Sequence, residues 1–425
     1  MKIYCLPEAA LPRDPDPTAL RFSLYGRSIL PGVGVAGLSL WDQIRRAQLT
    51  PVSHAWDLLT LALGVIAADC YCLRNRSPDG WTRQITLVVG VSEPEFWRAQ
   101  RHRVERLLQF LTGDLWEVQF EGGVAAPGWG APQLLPQEDG VCLLSGGVDS
   151  LIGVLNLAGE GRRPVAVSQV SDGDKDTQRA FAAGVGGGLR HVQLNHTVRV
   201  NAPTERSQRA RSFIFLAYGV LAATSLQLYR DGGVVELYVP ENGFISLNVP
   251  LTPLRVGSLS TRTTHPIYIR GYQQLLDAAG LRVRLANPYQ FTTKGEMMIN
   301  CCTPDTLARF APQATSCGRF KRTGFQHCGR CVPCLIRRAG FLRWGRADTT
   351  RYRYSDLSIA DPDHREYDDV RSAAMAVEMI RQKGSDAWVG GSLDSTQLGD
   401  VAPYMDLLNR GISELAHFLE TQHVL

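Results

Sequence analysis

Hydrophobic positions along the chain change their period several times. Between Trp41 and Arg74 the residues Trp56, Leu58, Leu59, Leu61 and Ile66 follow a helical repeat, whereas residues 84–91, QITLVVGV, form a β-rich run. Residues 94–112 open on proline and set Phe96, Trp97, Val104, Leu107 and Leu108 at helical spacing, so a helix with one apolar face is predicted. Residues 115–120 alternate, with Trp116, Val118 and Phe120 on one side of a strand. Together these elements predict an amino-terminal α+β unit over residues 1–122. From residue 121 to 140 the period disappears into EGGVAAPGWGAPQLLPQEDG, and 123–139 reads as a linker.

Beyond it, short apolar runs alternate with helical ones. Strands are expected at 141–144, 163–170, 190–194, 234–239 and 282–286, and helices at 149–157, 177–184, 211–227 and 265–280. That alternation implies an α/β domain over 140–345, a parallel sheet joined by crossover helices. Two further helical patterns, 368–383 and 404–423, make 346–425 a helical extension. No internal repeat and no low-complexity segment interrupts the chain.

Composition narrows the class. Of 425 residues 44% are hydrophobic and 20% charged, which excludes intrinsic disorder and fibrous repeats. Forty-five Lys and Arg against 41 Asp and Glu leave +4, too little for a general attraction to nucleic acid or anionic membrane. Basic recognition must come from local clusters. Lys occurs only at positions 2, 175, 294, 321 and 383, so Arg carries most of the positive charge. The amino end has no apolar stretch behind a basic start, and the longest apolar run, 58–68, is too short to span a bilayer. A cytoplasmic, unprocessed protein is expected.

Residues 141–150, VCLLSGGVDS, hold the most informative chemistry. A strand running through Leu144 into Ser145, Gly146 and Gly147, with Val148, Asp149 and Ser150 opening a helix, assembles an anion site. The glycines let backbone approach oxygen atoms, the two hydroxyls donate, and the helix start supplies unpaired N–H groups. Pyrophosphate suits such a loop. Asp149 is expected to help hold Mg²⁺ or to orient the loop. The sequence GxxxxGK[ST] is absent, which disfavours γ-phosphoryl transfer.

Of ten cysteines, Cys5, Cys70, Cys72, Cys142, Cys301 and Cys302 read as incidental. Cys317, Cys328, Cys331 and Cys334 form a cluster with two interlocked C-x₂-C steps, which suits a closed, structural tetrahedral Zn²⁺ site. Iron–sulfur ligation is the rival. His327 adjoins the cluster as a neighbour or a surface residue.

The SGGVDS string is similar to the SGGxDS loop of the PP-loop ATP pyrophosphatase superfamily, a resemblance that implies ATP binding in a Rossmann-like domain. With the cysteine segment, residues 327–340 (HCGRCVPCLIRRAG), the chain resembles the 7-cyano-7-deazaguanine synthase family over about residues 141–341. That family adenylates 7-carboxy-7-deazaguanine and then admits ammonia. The resemblance implies ATP, Mg²⁺ and Zn²⁺ as cofactors and a deazaguanine-type carboxylate as substrate. Ser145, Asp149, Ser150 and Lys294 become the catalytic candidates. Arg211, in the turn Arg209, Ala210, Arg211, Ser212, would face a phosphate or carboxylate, or else be a solvated residue at a helix start. Lys294, in the segment Thr293 to Glu296, would contact phosphate or acyl-adenylate with Glu296 orienting it, or else form a surface ion pair. Glu241, Asn242 and Gly243, and the run from Ser260 through Arg262 to His265, are further candidates for the mouth of the site.

Members of that family start almost at the phosphate loop, whereas here some 140 residues precede it. Asp57, Leu58, Leu59, then Ala67, Ala68, Asp69, and residues 81–85 (WTRQI), look like the amino-terminal extension of the longer synthase-like proteins of anti-phage defence operons, the Qat system in particular. Such relatives imply transfer of the activated group to an amine on a partner protein from the same operon. Other readings stay open: a nitrile synthase with decorations, tRNA thiolation or lysidine formation, and a non-catalytic nucleotide-binding scaffold. Near-neutral charge disfavours the tRNA reading and nucleic-acid partners in general.

Overall fold

The computed structural model describes residues 1–13, 16, 18–26, 31–124, 128, 138–171, 173–248, 251, 262–389, 393 and 397–425. Most of the linker expected at 123–139, and Ser260 and Thr261, lie outside them. Eleven strands occur among the described residues: β1 (Lys2–Leu6), β2 (Leu20–Leu24), β3 (Gly34–Ala36), β4 (Gln84–Gly90), β5 (Leu115–Glu121), β6 (Gly140–Leu143), β7 (Pro164–Gln169), β8 (His191–Leu194), β9 (Val198–Arg199), β10 (Val235–Tyr238) and β11 (Val283–Ala286). They build two sheets, ordered β5-β4-β1-β2-β3-β9 and β11-β10-β6-β7-β8.

The second sheet is parallel throughout, as the strand–helix alternation predicts. Its central strands β6 and β7 are buried at every residue, the condition of a parallel sheet covered on both faces. The first sheet corrects an expectation. β1 to β5 are also parallel, so the amino-terminal region is an α/β layer and not the α+β unit expected. Only β9, reaching back from the second half of the chain, joins antiparallel, on β3.

The helix predicted across residues 41–74 is two helices, Leu40–Arg46 and Ser53–Tyr71. Pro51 cannot continue the first, and it pushes the residue before it out of the helical region. Ser53–Tyr71 is buried almost all round because it lies between the sheets, against β1 and β4 on one side and the helix Arg211–Ala223 on the other. Arg211–Ala223 in turn covers β6, β7 and β10. One apolar core therefore runs from Ile3, Phe22 and Leu87 in the first sheet to Val141, Val165 and Leu237 in the second. The amino-terminal layer shares its core with the second sheet.

On the far face, Val148–Gly159 packs with Met297, Met298 and Leu307. A separate core joins Leu335 and Ile336 of the helix Val332–Trp344 to the carboxy-terminal helices Asp368–Lys383 and Ala402–Thr421. No helix among the described residues is long and apolar enough to cross a membrane.

Candidate active site and metal centre

Between β6 and the helix Val148–Gly159 stand Leu144, Ser145, Gly146 and Gly147. Leu144 and Val148 are buried and anchor the loop at both ends. Gly146 adopts φ +94°, which a side chain would strain. A Cβ on Gly147 would stand 3.2 Å from the Thr315 carbonyl oxygen. Ser150 Oγ donates to Gly147 O (2.9 Å) and lies 3.1 Å from Ser145 Oγ, while the Gly147 N–H donates to Ser145 Oγ (3.3 Å). The two hydroxyls and the helix start thus share one short loop.

That loop lines a cavity of about 550 Å³. Its walls carry Ser145 and Ser150, Gln169 at the end of β7 and Ser171 after it, Asp174, Gln208, Arg209, Arg211 and Ser212, the turn Val239 to Glu241 after β10, Thr263, Thr264, Thr315 and Gly318. The cavity opens beyond the carboxyl ends of β6 and β10, where successive strands leave the sheet centre in opposite directions. This is the switch point at which open α/β sheets bind ligands. Hydroxyls, guanidinium groups and a helix start converge there, a combination suited to a phosphate-bearing ligand.

Asp149 and Lys294 meet beneath the loop and do not reach the cavity wall. Lys294 Nζ donates to Asp149 Oδ1, and Asp149 Oδ2 accepts from the Asn242 N–H (3.1 Å) and Nδ2 (2.7 Å). The two side chains are only 7% and 5% exposed. Both oxygens of Asp149 are therefore engaged, an arrangement that ties the loop to Lys294 and Asn242. Lys294, expected at the phosphate, is the partner of Asp149 in a buried ion pair. Burial pushes the Asp149 carboxyl up, but the Lys294 charge and then hydrogen bonds with Glu241, Lys294 and Asn242 outweigh it and hold the group well below the usual carboxylate range. Glu241, beside this pair and on the cavity wall, is pushed well above its ordinary value, first by burial and then by the Asp149 charge.

Glu296 does not orient Lys294 towards the cavity. It forms a capping box with Thr293 and pairs with Arg410 of the carboxy-terminal helix. Asn242 caps the short helix Gly243–Ser246 through its Oδ1. Thr263 and Thr264 reach the cavity, whereas Arg262 turns to the Phe110 carbonyl (3.1 Å) and His265 caps Pro266–Ala278. Several wall residues carried no motif: Gln169, Ser171, Asp174 and Thr315. Position at or just past the carboxyl end of a strand of a parallel sheet is the one signal that could have marked Gln169, Ser171 and Asp174.

Cys317, Cys328, Cys331 and Cys334 bring their sulfur atoms within 4.8 Å of one another, all buried. Two of the pairs stand at 3.9 Å, against about 3.8 Å for a tetrahedron with Zn–S bonds of about 2.3 Å. Backbone N–H groups of Arg319 and Cys328 point at Cys317 Sγ, and that of Cys331 at Cys328 Sγ, each at 3.3 Å, as suits anionic thiolates. The donor set fits Zn²⁺ and leaves no open position. His327 is buried and its Nε2 accepts from the Ser316 N–H (3.2 Å). The metal loop also braces the phosphate loop: Thr315 N–H donates to Gly146 O (2.9 Å), and Arg337 holds Ala314 O (2.9 Å) and Ser316 Oγ (3.2 Å).

No family model matches the chain. Over 237 residues it is 28% identical to 7-cyano-7-deazaguanine synthase 1 of Sphingopyxis alaskensis, covering 50% of this chain and 97% of that protein. The chain is distantly similar to 7-cyano-7-deazaguanine synthase over about half its length. Shorter matches link it to the 7-cyano-7-deazaguanine synthases of Paracoccus denitrificans (33% over 95 residues) and Thiobacillus denitrificans (32% over 93 residues). These cover 22% and 20% of this chain, and 38% and 40% of the relatives.

The amino-terminal layer and the carboxy-terminal helix both hold segments next to the phosphate loop and its cavity. Asp69, on Ser53–Tyr71, accepts the N–H groups of Arg209 (2.7 Å) and Ala210 (2.8 Å) and so fixes the turn that leads into the helix Arg211–Ala223. Asp69 also binds Arg83, which binds Asp114, which binds Arg74. Arg209 lies 4.4 Å from the Trp81 ring. Burial and Arg74 lower its guanidinium to about 10, leaving it a cation at neutral pH. From the other end, Glu414 accepts from Thr293 Oγ1 (2.5 Å), next to Lys294.

Proposed function

We propose that the protein is an ATP-dependent enzyme that adenylates a carboxylate of 7-deazaguanine type and couples it to an amine. The carboxylate oxygen attacks the α-phosphorus of ATP, the bond to the bridging oxygen breaks, and pyrophosphate leaves. The amine nitrogen then attacks the acyl carbon, AMP departs with the carboxylate oxygen, and the amine gives up a proton. One observation carries this reading: the Ser145 to Ser150 loop facing a cavity walled by Arg209, Arg211 and Glu241 at the switch point of the sheet. The similarity spanning 97% of a dedicated synthase supports the substrate class.

The amine acceptor in this reading is a partner polypeptide of an anti-phage defence operon. Its support is the resemblance of the Asp57 to Asp69 and 81–85 segments to the extensions of defence-associated proteins, and the half of the chain outside the synthase match. Incubation with ATP, Mg²⁺ and 7-carboxy-7-deazaguanine is expected to release pyrophosphate and AMP. Ser145→Ala with Ser150→Ala should lower that rate by at least about a hundredfold, the scale of lost oxyanion donors. No pyrophosphate with any operon partner present would sink the proposal. A second reading, a free nitrile base as product, is favoured by the near-complete coverage of the Sphingopyxis protein. Mass spectrometry separates the two, through a small-molecule nitrile or a mass gain on a protein.

A further inference from the structure

We propose that the outer face of the metal loop carries a second anion site, for a phosphate-bearing ligand with two or more negative charges. A cavity of about 360 Å³ there is lined by Arg319, Arg322, Arg330 and Arg353 with Thr323, Tyr354 and the metal-cluster residue Cys328, and no carboxylate is among its walls. Net charge predicted that any basic recognition would be local, and this is such a cluster.

Two of the arginines, Arg330 and Arg353, are held in place before any ligand arrives. Arg330 stacks on Tyr354 at 4.3 Å and on Tyr367 at 4.9 Å, and Arg353 on Tyr354 at 5.7 Å. Stacking fixes the planes of the guanidinium forks, so less rotamer freedom is lost on binding. Their hydrogen-bonding capacity is underused. Arg330 Nε is buried without a partner, and Nη1 reaches only the Glu366 carbonyl at 3.4 Å. Arg319 stands 3.5 Å from Asp369, near the limit of an ion pair. A buried donor without an acceptor is costly, and a bound anion would relieve that cost.

The volume falls at the low end of the roughly 300–1,000 Å³ of small-molecule pockets, which favours a compact anion over a peptide segment. Phosphate oxygens match several guanidinium forks at once. Charge compensation of the metal centre is the competing explanation. Four thiolates on a dication leave a charge of about −2, so two of the four arginines would answer it.

The full-length, zinc-loaded protein should bind inorganic pyrophosphate in calorimetric titration at low ionic strength. The exposed pair Arg322→Gln with Arg353→Gln should weaken one binding event at least tenfold, with zinc content and melting temperature unchanged. That event should persist in Ser145→Ala with Ser150→Ala, which separates it from the phosphate loop and from the fate of the adenylation reading. A short single-stranded oligonucleotide that competes through the same two arginines would identify polymeric phosphate as the source, and failure to compete would assign a free small phosphate. Absence of any pyrophosphate binding sensitive to Arg322 and Arg353 would overturn the proposal. So would loss of zinc from the arginine variant, the signature of charge compensation.

Discussion

Two buried charge clusters brace the cleft from opposite sides, and they differ in how many partners each charge has. Beneath the phosphate loop a single ammonium, Lys294, answers the Asp149 carboxylate, with Glu241 crowding the same space. In the amino-terminal layer, Asp69, Arg83, Asp114 and Arg74 form a chain in which both inner members, Arg83 and Asp114, have two partners. Arg83 donates in addition to the carbonyls of Asp69 and Cys72, and Arg74 to that of Trp81. Removing one group from the chain leaves its neighbours a substitute. Removing one group from the pair leaves a buried charge alone.

The largest effect should follow Lys294→Ala. It strands Asp149 next to Glu241 and is expected to cost about 3–5 kcal/mol in urea unfolding, with pyrophosphate release abolished. Because the single variant loses stability as well as activity, the double variant Lys294→Met with Asp149→Asn is the sharper probe. It should recover most of the stability and none of the activity. Equal instability in the single and double variants would show that the two groups are not coupled.

Asp69→Asn should be milder, since Asp114 still holds both arginines. A stability loss of about 1–2 kcal/mol is expected, of the size of a lost charged hydrogen bond. Its distinguishing readout is kinetic. With the Arg209 and Ala210 N–H groups less firmly held, KM for ATP should rise on the order of tenfold while kcat changes less, and Asp69→Glu should not rescue it. A loss of stability as large as that of Lys294→Ala would break the contrast between pair and network.

The pair and the network were unequally visible in the sequence. SGGVDS and the cysteine steps are local: a loop of ten residues and a cluster of eighteen carry their own geometry, and both are found where their spacing put them. Helix 94–112 was likewise readable, because proline opens it and Gly113 (φ +72°) closes it. What escaped was long-range. Asp57 and Asp69 stood out only as part of a resemblance, yet each fixes the turn before a different helix. Asp57 accepts the N–H groups of Ser92 (2.7 Å) and Glu93 (3.1 Å), and Asp69 those of Arg209 and Ala210. Short strands such as β1 and β3 also went unread, because their pattern makes sense only once the helix Ser53–Tyr71 covers them. The pairing of Asp149 with Lys294, 145 residues away, is equally invisible in the sequence.

An effect of the opposite sign concerns Glu241 and comes from pH. Asp149 is held below its ordinary value of about 3.9, so its contribution to stability is complete above that pH and is lost as pH falls towards the native value. Glu241 is raised instead. The folded protein keeps a proton there that the unfolded chain releases above about pH 4.3, so stability falls as pH rises, by up to about 1.4 kcal/mol per unit, until the native carboxyl itself titrates. Glu241→Gln keeps the shape and removes the titration. The variant should therefore melt above the wild type at pH 7, with the gap closing as pH is lowered to 4. A gap that stays constant between pH 4 and 7 would mean that Glu241 is ionised in the folded protein, and Lys294 would then be answering two carboxylates and not one.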